Sequence, residues 1–454
     1  MKNKSIDMLH APLLPSILRF SVPLILSSVL QLLFNAADLM VVGNWSDNQN
    51  AVGAISSTGA LINLIVNLFI GLSIGAGVAV SHGIGSSDDE AVSKVVHTSM
   101  PTAVIGGILM TIVGIIFAEP LLVLMDTPAD LLEKSTLYMQ LYFLGITFSM
   151  VYNFAASILR AVGDTKGPLI YLAISGVVNF LLNLYFVLVH NMDVDGVAIA
   201  TSISQLVSAV LVVIALMKRT DCCQFRFRKC CMDWNALKKV ISIGLPAGIQ
   251  NSLFSISNVI LQTGMNSFNN AALNTGNGAA GNIEGFQFVA MNSIQLSAMN
   301  FIGQNHGARN YKRIKDIYRI CLAIVTVIGL SVGVIFTLFR DPLVRLYIPE
   351  SEEAIAFATE RMVWICMLYF ICGMMNVSTG SLRGIGISTS PMVTSILGVC
   401  VFRALWIYTI FQIPALHTPV VLYLSYPVSW LLTFLPQHIS FKRHLKKLLK
   451  MQTV

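Results

Sequence analysis

MKRTDCCQFRFRKCCMDWNALKK, Met217 to Lys239, is the one long polar interval in a chain that otherwise passes from one apolar block to the next. What precedes it recurs after it. LRAVGDTKGP from Leu159 returns as LRGIGISTSP from Leu382, with Leu, Arg, Gly and Pro each kept at an offset of 223 residues. Pro23 maps onto Pro246, Asn35 onto Asn258 and Asn153 onto Asn376 at the same offset, while Gly85 and Pro120 map onto Gly307 and Pro342 one residue short of it. The interval therefore joins two copies of one unit. A first lobe over 1–217, a cytoplasmic linker over 218–239 and a second lobe over 240–454 with a basic tail are expected.

Composition sets the solvent. The chain has 55% hydrophobic and 11% charged residues and a mean hydropathy of +0.73. Soluble domains carry about 25% charged residues, so 454 residues of this composition cannot present a water-compatible surface. A net charge of +7 does not signal nucleic acid, because the basic residues sit at the ends of apolar runs and not on an aromatic-interleaved patch. Eight cysteines, four of them in the central interval, do not form an extracellular disulfide framework. The start, MKNKSIDMLHAPLLPSILRF, lacks a small-residue cleavage site and runs into a full apolar span, so it is expected to be retained.

An α-helix needs about twenty residues to cross the hydrocarbon core, and twelve segments meet that length. In the first copy they are Ile17–Val42, Val52–Val80, Val95–Phe117, Thr136–Ile158, Pro168–Val189 and Val197–Met217. In the second they are Ile241–Met265, Ala279–Ile302, Tyr318–Phe339, Ala356–Gly380, Pro391–Phe411 and Pro419–Ile439. None alternates with period two, as the strands of a membrane barrel would. The expected fold is an all-α membrane protein with twelve transmembrane helices in two pseudo-symmetric six-helix lobes. Twenty-four Lys and Arg residues fall at the amino end, in the even-numbered intervals and in the tail; only Lys134, Arg340, Arg345 and Arg361 fall in the alternate ones. Both termini should then be cytoplasmic and the protein multi-pass in the inner (cytoplasmic) membrane. Six spans per copy make the repeats parallel, related by an axis along the membrane normal with a cleft between them. Arg160 and Arg383 read as positive-inside anchors.

Enzyme motifs have weak support. Gly71-Leu-Ser-Ile-Gly75 matches G-x-S-x-G but lies within an apolar helix, where small residues serve packing. Gly276 to Gly281 matches G-x-G-x-x-G without a preceding strand, and reads as a mobile outer loop. Cys222-Cys223 and Cys230-Cys231 lack the C-x2-C spacing of zinc sites and read as reduced bystander thiols. No nucleotide-hydrolysis, metalloprotease or haem motif is found. Transport would draw on an ion gradient and no cofactor.

Polar residues at membrane depth are costly unless they face a cavity or a partner. On the first span Gln31, Asn35 and Asp38 share one face at spacings of four and three, fifteen residues beyond the kink expected at Pro23. The alternative for Asp38 is an interfacial carboxylate, since Gly43 and Trp45 follow closely. Asn179 and Asn183 lie one turn apart on the fifth span, with Thr201 near the start of the sixth. Each amide alone suits a helix–helix hydrogen bond; together with a carboxylate they make an oxygen-rich cluster. The second copy differs: Gln250, Asn258 and Gln262 lie on the seventh span and Glu284 and Gln287 on the eighth. Asn258, Gln262, Glu284 and Gln287 are its candidate cavity residues. Amide walls with two carboxylates suit an amphipathic cation, and Arg403 on the eleventh span stands against that pattern.

The first-span Pro with its distant Asp, the LRAVGDTKGP element with its LRGIGISTSP echo, and FIGQNHGARNYKR after the eighth span together resemble the multidrug and toxic compound extrusion (MATE) family, most of all its DinF-like bacterial branch. The resemblance covers nearly the whole chain. It implies an antiporter that exports cationic or amphipathic organic compounds in exchange for H⁺ or Na⁺ by alternating access, as a monomer in the lipid bilayer. By motif position Asp38 matches the family's first-span carboxylate, and Asn179 and Thr201 its polar cluster. Asn183 stands where many relatives have Asp, and the seventh span lacks the Glu of the NorM-like branch, so either ion near Asp38 stays open. Two alternatives have their own signatures. A lipid-linked oligosaccharide flippase of related architecture should show cationic cavity walls, and an intramembrane hydrolase a Ser or metal constellation.

The orientation is testable with impermeant thiol reagents, which should miss Cys222 and Cys230 in intact cells and reach them in inverted vesicles. Ready labelling from outside would reverse the assignment.

Overall fold

Backbone N–H and C=O groups have no water to pair with in hydrocarbon, so apolar runs of this length must close their hydrogen bonds within themselves, as helices. The computed structural model describes residues 5–45, 51–125, 127–349 and 351–452. Lys2, Lys4 and Val454, which belong to the expected basic amino end and tail, lie outside the described residues.

The first copy forms α1 (Leu13–Trp45), α2 (Ala51–Gly85), α3 (Asp89–Leu124), α4 (Ala129–Ala161), α5 (Lys166–Leu184, continued by a π-helical turn Tyr185–Val189) and α6 (Val194–Met217). The second forms α7 (Trp234–Asn266), α8 (Ala271–Gly307), α9 (Tyr311–Leu338), the short α10 (Arg340–Arg345), α11 (Glu352–Cys366) and α12 (Tyr369–Gly384). After these come α13 (Thr389–Ser395), which runs through a π segment, Ile396–Val401, into α14 (Phe402–Tyr408), and then α15 (Pro419–Gln452). Among the described residues ten helical stretches are long and apolar enough to span a bilayer, and α11 with α12, bent by 47°, makes an eleventh. The twelfth is α8. Its 37 residues give about 55 Å at 1.5 Å per residue, but its Asn, Gln and Glu side chains lower its hydropathy.

The repeat is visible in the backbone. Only two glycines among the described residues have positive φ, Gly163 (+94°) and Gly386 (+86°), and they are counterparts at the 223-residue offset. Each ends a helix in the same way: Gly163 N–H reaches Arg160 O at 2.9 Å and Asp164 N–H reaches Leu159 O at 2.9 Å, while Gly386 and Ile387 repeat both bonds to Arg383 and Leu382 at 2.8 and 2.9 Å. This is the Schellman termination, which places a left-handed residue just past the helix. Ser87 and Arg309, at φ +56° and +54°, are a second matched pair one residue short of the offset.

By packing, the chain forms two units: residues 1–7 with 22–249, and residues 8–21 with 250–454. These bounds differ from the expected cuts near 217 and 240, for two reasons. The central interval is docked, not a free linker. Phe225 and Cys223 are buried in the core of the first unit, Arg226 N–H donates to His97 Nε2 at 3.2 Å, and Arg219 pairs with Asp221. The Cys223 thiol is held above its ordinary value by a hydrogen bond with Cys222 and by burial; Cys230 and Cys231 are exposed. Second, residues 8–21 pack within the second unit. Phe20 meets Phe301 edge-on at 5.5 Å, Ser21 bonds Ser297 at 2.7 Å and Asn305 donates to Met8 O at 3.0 Å. Two of the three changeovers, at 21/22 and 249/250, fall within a turn of Pro23 and Pro246, both interior to helices, where a missing N–H weakens the backbone ladder.

Small residues let helices approach closely. A Cβ on Gly71 would lie 2.1 Å from Gly248 N, and one on Gly75 2.1 Å from Val240 O, so the G-x-S-x-G match is a packing face. Gly276 to Gly281, expected as a loop, is instead helical within α8, where a Cβ on Gly276 would lie 2.3 Å from Ala354 O. Gly276 serves packing against α11, while a Cβ on Gly278 or Gly281 would meet nothing within 4 Å.

Gly163→Ala and Gly386→Ala should each cost about 1–2 kcal/mol, because a left-handed alanine carries that strain. Melting in detergent should drop for both and not for Gly278→Ala, whose added Cβ meets nothing within 4 Å.

Candidate functional site

In the first unit α1, α4, α5 and α6 enclose a cavity of about 130 Å³. Helical spacing brings Gln31, Phe34, Asn35 and Asp38 of α1 onto its wall, facing Asn153 of α4, Asn179 of α5 and Thr201 of α6. Glycine sets the distance between walls: a Cβ on Gly176 would overlap the Phe34 ring at 1.8 Å. All the first-lobe residues expected to act together are brought together. Asn183 Nδ2 donates to Asp38 Oδ1 at 2.5 Å and faces Asn179 Oδ1 at 3.3 Å. Asn179 Nδ2 donates to Thr201 Oγ1 at 3.3 Å, and Thr201 in turn donates to Val197 O at 2.9 Å. Asn183 is fully buried and Asn179 6% exposed.

Chemically this is a carboxylate at the end of a relay of amides. Asp38 is the one carboxylate among the lining residues, and no Lys or Arg lines the cavity. The carboxylate receives a neutral N–H in place of a counter-ion, so its charge is not cancelled by the protein. Asn183 Oδ1 is buried with no hydrogen-bond partner, an uncommon state for a buried amide. A site of this kind can bind a cation at Asp38 or take a proton there.

The second unit is built differently. Glu284 of α8 is buried as a cavity candidate should be, but it is held by Arg361 of α11 through two bonds, Nε–Oε1 at 2.7 Å and Nη2–Oε2 at 2.8 Å. Arg361 also donates to Asn277, whose Nδ2 reaches Gln262 Oε1 at 3.2 Å. Asn258 and Gln262 line a small pocket of about 20 Å³ with Leu261, Asn277, Arg361 and Tyr426. Gln287 departs from its expected cavity role. It is fully buried and donates to Gly329 O at 3.0 Å and Cys366 O at 3.1 Å. The second acceptor is the last carbonyl of α11, freed where the α11–α12 span breaks, so Gln287 repairs a backbone defect.

Two buried cations were not foreseen. Arg361 is 5% exposed and Arg383 1%, although the first was counted with the outer intervals and the second as a surface anchor. Arg383 donates to Gln250 Oε1 at 2.8 Å, and its Nε has no partner. For Arg361 a signal existed: it lies inside the tenth apolar segment, where an ionisable residue implies a partner.

A family model described as MatE matches this chain twice, over residues 23–185 and 246–409. The two matches start 223 residues apart, the offset of the repeat. The probable multidrug resistance protein YoeA of Bacillus subtilis is 26% identical over 390 residues, 84% of this chain and 83% of that protein. The probable multidrug resistance protein NorM of Thermotoga maritima is 23% identical over 400 residues, 85% of this chain and 83% of that one. A crystal structure of a MATE protein in complex with MaL6 aligns with TM-score 0.92 at 20% identity, over 99% of this chain and 100% of that one. An outward-facing multidrug resistance transporter structure aligns with TM-score 0.92 at 19% identity, over 99% of each chain. At these identities the structures speak to the fold.

The Glu284–Arg361 pair should behave as structure. Arg361→Met alone should destabilise by about 3–5 kcal/mol by stranding a buried carboxylate, and Arg361→Met with Glu284→Met should recover most of the loss. Melting of the purified single and double variants measures this directly.

Proposed function

We propose a proton-coupled export cycle for this chain, which belongs to the MatE family. Its relatives' names support a multidrug efflux transporter, a multi-pass membrane protein and not an enzyme. The finer reading is an antiporter that releases cationic or amphipathic organic compounds outward and takes protons inward by alternating access. It needs no cofactor.

The observation that carries this reading is the Asp38–Asn183 contact at the wall of the first-lobe cavity. A protonated Asp38 is a neutral donor and acceptor. A deprotonated one leaves a net negative charge in a cavity without Lys or Arg, which favours an organic cation over a neutral solute. Protonation and substrate binding then compete for the same charge, and each favours a different packing of the lobe. Competition of this kind is the requirement for exchange. Na⁺ is the less favoured ion because Asn183 puts a neutral amide, and not a second carboxylate, beside Asp38; hard cations favour charged oxygen ligands. The flippase alternative gains nothing from the first-lobe cavity, whose walls carry no cationic residue.

Asp38→Asn should give a folded protein that binds an organic cation but fails to export it on an imposed pH gradient in proteoliposomes. Asn183→Asp should add Na⁺ stimulation by supplying a second charged oxygen pair. If Asp38→Asn keeps pH-driven export at the wild-type rate, Asp38 is an interfacial bystander and the cycle is coupled elsewhere.

A further inference from the structure

The second unit carries a buried guanidinium with no carboxylate to pair with. Arg403, at the start of α14, is 3% exposed, and no ion pair to it is found among the described residues. Its contacts are neutral: Nε donates to Ser429 Oγ at 3.0 Å, and Nη1 lies at the long distances of 3.5 and 3.4 Å from Ser257 Oγ and Asn258 Oδ1. The guanidinium lies over the Tyr426 ring, 4.4 Å from its centroid. A guanidinium has five N–H donors and stays charged, and burying such an ion without a counter-ion costs several kcal/mol. One good hydroxyl acceptor and two long contacts do not offset that.

Two of the residues that touch Arg403, Asn258 and Tyr426, are also walls of the small second-unit pocket, together with Leu261, Gln262, Asn277 and Arg361; Arg403 is separated from that pocket by these two shared side chains. The Arg361 guanidinium lies 5.3 Å from the centroid of the same Tyr426 ring. Counting Glu284, which Arg361 already engages, the cluster keeps one uncancelled positive charge. The repeat makes its position informative. At the 223-residue offset Leu261 is the counterpart of Asp38, Phe402 of Asn179 and Trp406 of Asn183. So the region that is acidic and amide-lined in the first lobe has lost all three polar groups in the second, and has gained Arg403 beside Phe402.

We propose that the second lobe holds an anion-binding subsite in the pocket beside Arg403, with Asn258 shared between the two, that takes the carboxylate of a zwitterionic or anionic organic substrate or a halide ion of the same charge. A pocket of about 20 Å³ admits about one water-sized group, enough for a halide or for one oxygen of a carboxylate and not for a ring system. Transported compounds with a free carboxylate are then held at that group by the second lobe, while the first lobe deals with positive charge. This inference rests on the chain being a transporter of amphipathic organic compounds, and an equilibrium binding measurement tests it without any demand on ion coupling.

Rhodamine 110 carries a free carboxylate and rhodamine 123 is its methyl ester, so the pair isolates the group in question. Fluorescence anisotropy of both dyes with the full-length protein in nanodiscs, in a buffer free of chloride and of carboxylates, gives a ratio of affinities. That ratio should favour rhodamine 110 in the wild type and fall about tenfold or more in Arg403→Gln, as expected for loss of a charge-assisted bond. Arg403→Lys should keep part of the preference, and Asn258→Leu should reduce it without removing a buried charge. Unchanged rhodamine 123 binding certifies that each variant is folded. If a halide is the occupant, chloride should weaken rhodamine 110 alone and raise the melting temperature, and Arg403→Gln should abolish both effects. An unchanged dye ratio in all variants with no chloride effect overturns the subsite. Should neither dye bind, the proposed substrate class falls, and the subsite stands or falls by the chloride-dependent melting shift.

Discussion

A charged or hydrogen-bonding group inside hydrocarbon has to find its partner within the protein, and most of this structure follows from that one constraint. It makes the spans helical, so that every backbone group is paired along its own segment. It also sorts the polar side chains. Gln287 is spent on the carbonyls of Gly329 and Cys366, where α11 breaks before α12. Glu284 and Arg361 neutralise each other in a two-bond pair. What is left over after this sorting is specific: a carboxylate, Asp38, that receives only an amide N–H, and two guanidiniums, Arg383 and Arg403, with only neutral neighbours, of which Arg403 shares neighbours with the second-unit pocket. Function is most economically sought in the residual charges at or beside a cavity, Asp38 and Arg403.

The repeat explains why they differ. Two copies with the same turn chemistry, down to the left-handed Gly163 and Gly386, give equivalent scaffolds with a cavity in each. On the first scaffold the helix faces carry Asp38, Asn179 and Asn183; on the second the same positions carry Leu261, Phe402 and Trp406. Duplicated backbones with divergent side chains allow one lobe to handle a proton or cation while the other is free for a different part of the cargo. A solved structure of a multidrug resistance transporter has the same fold over 99% of this chain. A split of labour between lobes suits a broad substrate range, since it separates the coupling charge from most of the surface that meets the compound.

The twelve spans and the repeat were legible because hydropathy and spacing report directly on burial in lipid. The eighth span was legible from its length as an apolar run, although its Asn and Gln residues keep it below the hydropathy of the other spanning helices. The first-lobe cluster was legible from Asp38, Asn179 and Asn183 falling at helical spacings and from the family resemblance. The second-lobe pair was half legible: Glu284 was marked as buried, but a partner 77 residues away in the chain leaves no local pattern, and Arg361 was read as an interfacial charge. The docking of Phe225 against His97, with ring centroids 5.7 Å apart, was hidden for the same reason, because a polar composition says nothing about which few residues of a loop are buried. The exchange of residues 8–21 into the second unit is a tertiary choice that the two prolines permit without announcing it.

The central claim is that Asp38 exchanges a proton for an organic cation, and linkage makes that measurable without transport. Purified protein in weakly buffered detergent solution, with a pH-indicator dye, should release on the order of one proton per molecule of bound rhodamine 123 when it starts protonated, because ligand and proton compete for one site. The same titration of Asp38→Asn should bind the dye and release none. Binding without proton release in the wild type, or equal release from the Asp38→Asn protein, would contradict the account.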